Sequence, residues 1–231
     1  MTTILERDVR DLAHIDALHA LPRLLSLLAA RSASLLNLAE LSRSAGIPQS
    51  TLTRYFALLE TTFLVQRIPA WSSNLGKRMV KSPKAYVVDT GLAGYLLELD
   101  EARLTADPSL RGSLLETFVV SEITRELGWS QRRPRLYHFR QNTGQEVDLV
   151  LEDPSAALVG IEVKASAAVT GQDFRGLRAL AEIAGPRFRR GIVLYTGEAT
   201  VAFGENLYAL PLSSLWAGPP LEPPSPRGST T

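Results

Sequence analysis

Four charged side chains in the C-terminal half have the types and spacing that chemistry needs: Glu116, Asp148, Glu162 and Lys164. Glu116 lies in an apolar helical stretch. Asp148 sits in the run EVDLVLE (146–152), and Glu162 and Lys164 sit in ALVGIEVKAS (157–166). Charge is costly to bury among apolar β-segments. Carboxylates and a lysine arriving together therefore imply a site that holds a divalent metal and attacks a phosphodiester. Water is a poor nucleophile and the transition state is highly charged, and a Mg²⁺ ion helps with both. Mg²⁺ takes oxygen ligands, commonly one or two carboxylates plus water and phosphate. Asp148 and Glu162 are the expected metal ligands, with Mn²⁺ as a substitute ion and the Val163 carbonyl as a candidate third ligand. Lys164, two residues after Glu162, projects from the same face of its strand and would orient the water. Glu116 would assist through water. Glu146 is an alternative acid, expected on the face opposite Asp148. The non-catalytic reading of Glu162 and Lys164 is a cross-strand ion pair.

These residues need elements to position them. The stretch 113–128 reads as a helix, and 135–141, 146–152, 157–164, 191–197 and 206–211 read as strands. TGQDFRGLRALAEIAG (170–185) reads as a helix between the third and fourth strands. The order α-β-β-β-α-β-β is that of an α/β sandwich with a mixed sheet. A turn at Asp153-Pro154-Ser155 would let two antiparallel strands bring Asp148 and Glu162 to one end of that sheet.

The first half has a helical period. LPRLLSLLAARS (21–32) is an apolar-periodic helix. NLAELSRSAG (37–46) is a short helix capped by Asn37 and ended by Gly46. IPQSTLTRYFALLETT (47–62) restarts at once, with Leu52, Phe56 and Leu59 on one face. Two short helices across a tight turn form a helix-turn-helix. The strands FLVQRIPAW (63–71) and KAYVVD (84–89), joined by a basic loop, form a wing. Leu58, Leu59, Phe63 and Leu64 are the expected core. A short helix, GLAGYLLEL, and an acidic linker with Asp100, Glu101 and Asp107 follow, and the domain boundary is placed there. The expected domains are a winged helix over 1–105, an α/β domain over 106–216 and a disordered Pro-rich tail over 217–231.

From Arg43 to Lys84 there are seven Lys/Arg and one acid, Glu60. That excess suits an anionic partner such as DNA. A recognition helix reads bases with polar residues near its start, here Gln49, Ser50, Thr51, Thr53 and Arg54. Lys77, Arg78, Lys81 and Lys84 on the wing suit phosphate contacts. The alternative is a winged helix that packs against protein.

Composition excludes several classes. The 231 residues contain no cysteine, so disulfides, thiolate zinc sites and a cysteine nucleophile are excluded. The three histidines are scattered. The N-terminus carries charges throughout, no run is long and apolar enough to span a membrane, and a cytoplasmic location is expected. GxxxxGK[ST] is absent, so no ATP site is expected.

A helix Glu, a strand Asp and Glu-x-Lys in an apolar strand resemble the PD-(D/E)xK nuclease superfamily over about residues 111–197, without the usual proline before Asp148. A second resemblance covers nearly the whole chain. The stretches ILERDVRDL (4–12), AGIPQSTLTRYFALLETTFLV (45–65), NLGKRMVKSPKAYVVDTGLAGYLL (74–97), GSLLETFVVSEI (112–123), HFRQNTGQEVDLVLE (138–152) and GIEVKAS (160–166) look like the C-terminal region of DUF4143-type AAA (P-loop) ATPases. The resemblance implies a winged helix followed by a restriction-endonuclease-like α/β domain, without the ATPase part. It carries Glu116, Asp148, Glu162 and Lys164 over to a nuclease-like site and places Arg140 close by. It implies DNA and a P-loop ATPase as partners.

Overall fold

The computed structural model describes residues 20–74, 76, 78 and 81–216. The stretch 4–12, Lys77 and the Pro-rich tail lie outside the described residues.

The first half builds as its periodicity demands. Helix α1 (Ala20–Ala30) buries Leu21, Leu24, Leu25 and Leu28, spaced three and four apart along one face. Strand β1 (Ser34–Leu35) follows. Helix α2 (Leu38–Ala45) is capped by the Asn37 side chain, which accepts from Glu40 N–H, and ends at Gly46 with φ 69°. That left-handed turn suits glycine and sends the chain straight into α3 (Gln49–Thr61). Leu52, Phe56 and Leu59 of α3 are buried, as the spacing requires, and Tyr55 joins them. Strands β2 (Val65–Ile68) and β3 (Lys84–Val87) pair antiparallel, and β1 adds to β3, giving the sheet order β1-β3-β2. Three helices against a three-stranded sheet is a winged-helix arrangement. Phe63 corrects the expected core. It is 81% exposed, because the chain leaves α3 through a left-handed turn at Phe63 (φ 57°) that turns the ring outward.

The acidic stretch expected as a linker is helical. Helix α4 (Thr90–Leu96) is capped by Asp89 and α5 (Glu101–Ala106) by Asp100. Helix α6 (Pro108–Trp129) is capped by Asp107, with Pro108 in its first turn. Asp100 and Asp107 are N-caps, each supplying an acceptor to otherwise unpaired N–H groups, and Glu101 lies in the first turn of α5.

Six strands follow in one mixed sheet: β4 (Arg135–Arg140), β5 (Glu146–Glu152), β6 (Leu158–Lys164), β7 (Phe188–Tyr195), β8 (Val201–Gly204) and β9 (Leu207–Pro211). Their order is β4-β5-β6-β7-β9-β8, with β6, β7 and β9 parallel and the other pairs antiparallel. Strand β8 lies outside the expected strands. Helix α7 (Arg175–Ala184) makes the crossover from β6 to β7. It packs Leu177 and Leu180 with Val147, Val150 and Val193. Helix α6 packs Val119, Val120 and Ile123 with Leu149, Ile161 and Leu194. The result is a helix–sheet–helix sandwich.

Gly176 is where α7 comes closest to the sheet. A Cβ there would lie 1.7 Å from the Glu146 carbonyl oxygen. Gly176→Ala must push the helix off β5, so we expect a loss of about 1–3 kcal/mol in urea unfolding. A variant as stable as wild type would show that α7 shifts freely.

The wing does not stand free. Ala70 bridges to His138 in parallel, with Trp71 N–H donating to the His138 carbonyl at 2.6 Å and His138 N–H to the Pro69 carbonyl at 2.9 Å. The chain after β2 therefore covers edge strand β4, whose backbone groups would otherwise be open. Trp71 is fully buried in the α7-side core, while Ile68 and Tyr86 join the α6-side core.

Candidate functional site: a buried lysine among carboxylates

Glu116 projects from the third turn of α6 and Asp148 from β5. Leu149 pairs with Ile161, which sets Asp148 near Glu162 at one end of the β5–β6 pair. The Asp153 turn holds that register, with Asp153 N–H donating to the Ala157 carbonyl and Ala157 N–H to Asp153 Oδ1. Asp148 Oδ2 accepts from Val163 N–H at 2.9 Å. Lys164 Nζ donates to Glu162 Oε1 at 2.9 Å. The two residues do pair, but within one strand and with Glu162 largely buried, not across strands on an outward face.

At the centre lies a residue that the charge pattern assigned elsewhere. Lys84 opens β3 and is 2% exposed. Its Nζ lies 2.8 Å from Glu116 Oε1, 2.6 Å from Glu146 Oε1 and 3.1 Å from Asp148 Oδ1. An ammonium has three N–H donors, and here three carboxylates accept them. Tyr86, two residues on, donates its hydroxyl to Glu116 Oε1 at 2.6 Å. Glu146 and Asp148 also do not point to opposite faces. Residues two apart in a strand share a face, and both reach the same ammonium.

Burial and charge set the protonation of this cluster. Burial alone would depress Lys84, yet Asp148, Glu116 and Glu146 raise its pKa above the ordinary lysine value. Burial, reinforced by Asp148 and opposed by Lys84, lifts Glu116 to about 7. Burial and Asp148 likewise lift Glu162 to about 8 against the pull of Lys164. Glu146 goes the other way: burial pushes it up, but Lys84 and Arg140 outweigh burial and hold it below the usual carboxylate range. Glu162 Oε2 is buried with no hydrogen-bond partner.

These contacts test the fit of a divalent metal. The oxygens of Glu116 and Asp148 that a Mg²⁺ would take are given to an ammonium, and the remaining Asp148 oxygen is given to a backbone N–H. Among the described residues the three carboxylates that do converge meet on Lys84, and no group of three His, Asp or Glu is placed to hold a metal ion. Of the two expected ligands, Asp148 has both oxygens engaged while Glu162 keeps Oε2 without a partner, so with Lys84 in place the pair does not present a divalent-ion site together.

The expected DNA contacts divide. Gln49, Ser50, Thr53 and Arg54 are exposed on α3, and Thr51 is half-buried. Lys84 is corrected outright: an ammonium held by three carboxylates cannot serve a phosphate. Arg78 is corrected too. Its guanidinium donates to Glu152 at 2.6 and 2.8 Å and lies over the Trp71 and Tyr137 rings. Lys81 donates to the Arg140 carbonyl at 3.1 Å. Arg140 is exposed, 3.5 Å from Glu146. Arg67 pairs with Glu60. Much of the basic excess is therefore spent inside the molecule. Sequence reasoning missed Tyr86 and placed Lys84 in the wrong role. The signal available was a lysine heading an apolar strand, AYVV, where burial requires partners.

Residues 111–215 match the family DUF4143, a domain of unknown function. Residues 1–103 match a different family, DUF8612, also of unknown function, so the DUF4143 match is narrower than the whole-chain resemblance. The site straddles both: Lys84 and Tyr86 come from the DUF8612 part, and Glu116, Glu146, Asp148, Glu162 and Lys164 from the DUF4143 part. Uncharacterized proteins of Mycobacterium bovis (Mb2031c) and Mycobacterium tuberculosis (Rv2008c) are each 31% identical over 217 residues. The match covers 93% of this chain and 47% of theirs, so the chain spans about half their length. Among solved structures, a Thermococcus gammatolerans assembly of McrB AAA+ hexamers with bound McrC matches at 10% identity and a TM-score of 0.32. It covers 82% of this chain and 70% of that one. That likeness is too distant to inform the site. Among the described residues no helix is long and apolar enough to cross a membrane.

Proposed function

We propose that this chain is a DNA-contacting accessory module that works with a P-loop ATPase, and that its nuclease-like half serves as a scaffold rather than a hydrolase. The observation that carries the DNA part is the split face of α3. Leu52, Tyr55, Phe56 and Leu59 are buried, while Gln49, Ser50, Thr53 and Arg54 face solvent from the helix start. A recognition helix needs that division: an anchored face, and a polar face that can enter the major groove. Gln49 can pair with adenine, and Arg54 with guanine or a phosphate. The ATPase part is supported by the sequence resemblance to the region that follows a P-loop ATPase, and by relatives about twice as long as this chain.

The scaffold part is supported by Lys84, whose ammonium holds Asp148, one of the two expected metal ligands, together with Glu116 and Glu146. Purified wild type is expected to leave linear, supercoiled and branched DNA intact across a Mg²⁺ and Mn²⁺ titration. Metal-dependent nicking that Asp148→Ala abolishes would establish hydrolysis instead.

Duplex binding by fluorescence anisotropy tests the reading. Affinity should fall steeply from low to moderate salt, and Arg54→Ala should weaken binding about tenfold, a loss of roughly 1–3 kcal/mol. Binding that ignores salt, or that Arg54→Ala leaves untouched, would remove α3 as the contact.

A further inference from the structure

We infer that Lys84 is a built-in cation standing where the nuclease-like fold would hold a divalent metal, so that the docked wing and a divalent ion compete for Glu116, Glu146 and Asp148. The inference goes beyond the function proposed above, and a chain that binds no DNA would leave it standing.

Three observations carry it. The first is saturation. Lys84 Nζ gives its donors to carboxylates on two elements, at 2.8, 2.6 and 3.1 Å, so its position is fixed from several directions. The second is origin. These partners are 32 and 64 residues away for Glu116 and Asp148, and Lys84 comes from the first half of the chain. The cation is thus delivered by a different part of the molecule from the acids. The third is attachment. The segment that delivers it is anchored at Trp71, which bonds to His138 and Glu152, and at Arg78, which bonds to Glu152. Tyr86 adds a second grip on Glu116 from the same strand.

Shared oxygens set the competition: the Glu116, Glu146 and Asp148 oxygens nearest the centre are already engaged with the ammonium. A Mn²⁺ or Mg²⁺ bound by Glu116 and Asp148 oxygens would sit within a few ångströms of the ammonium, in a buried setting where water screens little. Entry of the ion therefore requires Lys84 to leave, and with it the start of β3. A partner that lifts the wing from edge strand β4 would open an acidic cluster on α6 and β5 with the oxygen chemistry of a divalent-cation site. Regulation would run from wing position to cation identity, with Trp71, Ile68 and Tyr86 drawn out of the two cores as the wing lifts.

The test is Mn²⁺ titration of the full chain, read by the loss of the free-ion electron paramagnetic resonance signal. Wild type should leave Mn²⁺ free. K84A should bind one ion at least about tenfold more tightly, and D148N in the K84A background should abolish the gain. A folded K84A that binds no Mn²⁺ overturns the inference, and so does a wild type that binds one ion in a D148N-sensitive way. If K84A does not fold, reductive methylation of the wild type decides. Lys84 should react far more slowly than Lys81, with or without Mn²⁺. Equal reactivity of the two lysines overturns the inference.

Discussion

Lys84→Met should lower the unfolding free energy by about 3–5 kcal/mol at pH 8, because removing one member of a buried ion network leaves its partners charged and unmatched. Methionine keeps most of the volume, so the loss reports charge rather than a cavity. Three carboxylates lose their shared donor: Glu116, Glu146 and Asp148. Lys84 is held above its ordinary pKa by those acids, so in wild type it stays charged throughout the working range. The variant's penalty should therefore depend on the acids. At pH 5 they can take up protons cheaply, and the loss should shrink to roughly half. Urea unfolding at the two pH values measures both numbers. A loss below about 1 kcal/mol at pH 8 would put this cluster in the class of weak surface pairs.

That network also explains which parts of the molecule could be read from sequence. The helix-turn-helix was legible because its signals are local. Asn37, Gly46 and Pro48 each act through their own backbone neighbours, and Leu52, Phe56 and Leu59 obey a simple period. The order of helix and strands that brings Glu116, Asp148, Glu162 and Lys164 toward one end of the sheet was legible for the same reason. Strand β8 was not. It is four residues long with an exposed pattern, and pairs only at the sheet's edge. The helices α5 and α6 were partly legible: Asp100, Asp107 and Pro108 are N-terminal signals, but as acids in a polar stretch they also read as a linker.

Lys84 and Arg78 failed for a physical reason. A basic residue in sequence carries no sign of where its counter-charge lies, and here Glu152 is 74 residues from Arg78 and Asp148 is 64 from Lys84. Summed charge over a window treats both as solvated. Only the tertiary fold shows that the wing is turned inward on β4. The same limit applies to the metal. The positions of Asp148 and Glu162 suggested oxygen ligands, but which cation meets those oxygens is decided by a residue from the other half of the chain.

The second large effect concerns pH. Glu162 rises to about 8 and Glu116 to about 7 in the folded protein, against about 4.3 for a free glutamate. Between these limits the folded state holds protons that the unfolded chain has released. Each such proton costs about 1.4 kcal/mol of stability per pH unit. The contribution of these two groups is therefore fully favourable below about pH 4 and is lost as pH rises toward 8. Glu146 and Glu152, both held low by cationic neighbours, act in the opposite sense and lose their contribution in acid. Stability should accordingly peak near pH 5 and fall by several kcal/mol, on the order of 6, by pH 8.

Glu162→Gln isolates the larger share. Glutamine mimics the neutral acid, can still accept from Lys164 through its carbonyl oxygen, and offers an amide at the buried position where Glu162 Oε2 has no partner. The variant should match wild type at pH 5 and exceed it by on the order of 4 kcal/mol at pH 8. Glu116→Gln should flatten the same limb less, because its shift is smaller and because Lys84 and Tyr86 both donate to its carboxylate. Thermal or urea unfolding between pH 5 and 9 reads both curves. If wild-type stability rises from pH 5 to 8, or Glu162→Gln destabilises at pH 8, then Glu162 is ionised in the folded protein and its pairing with Lys164 outweighs burial.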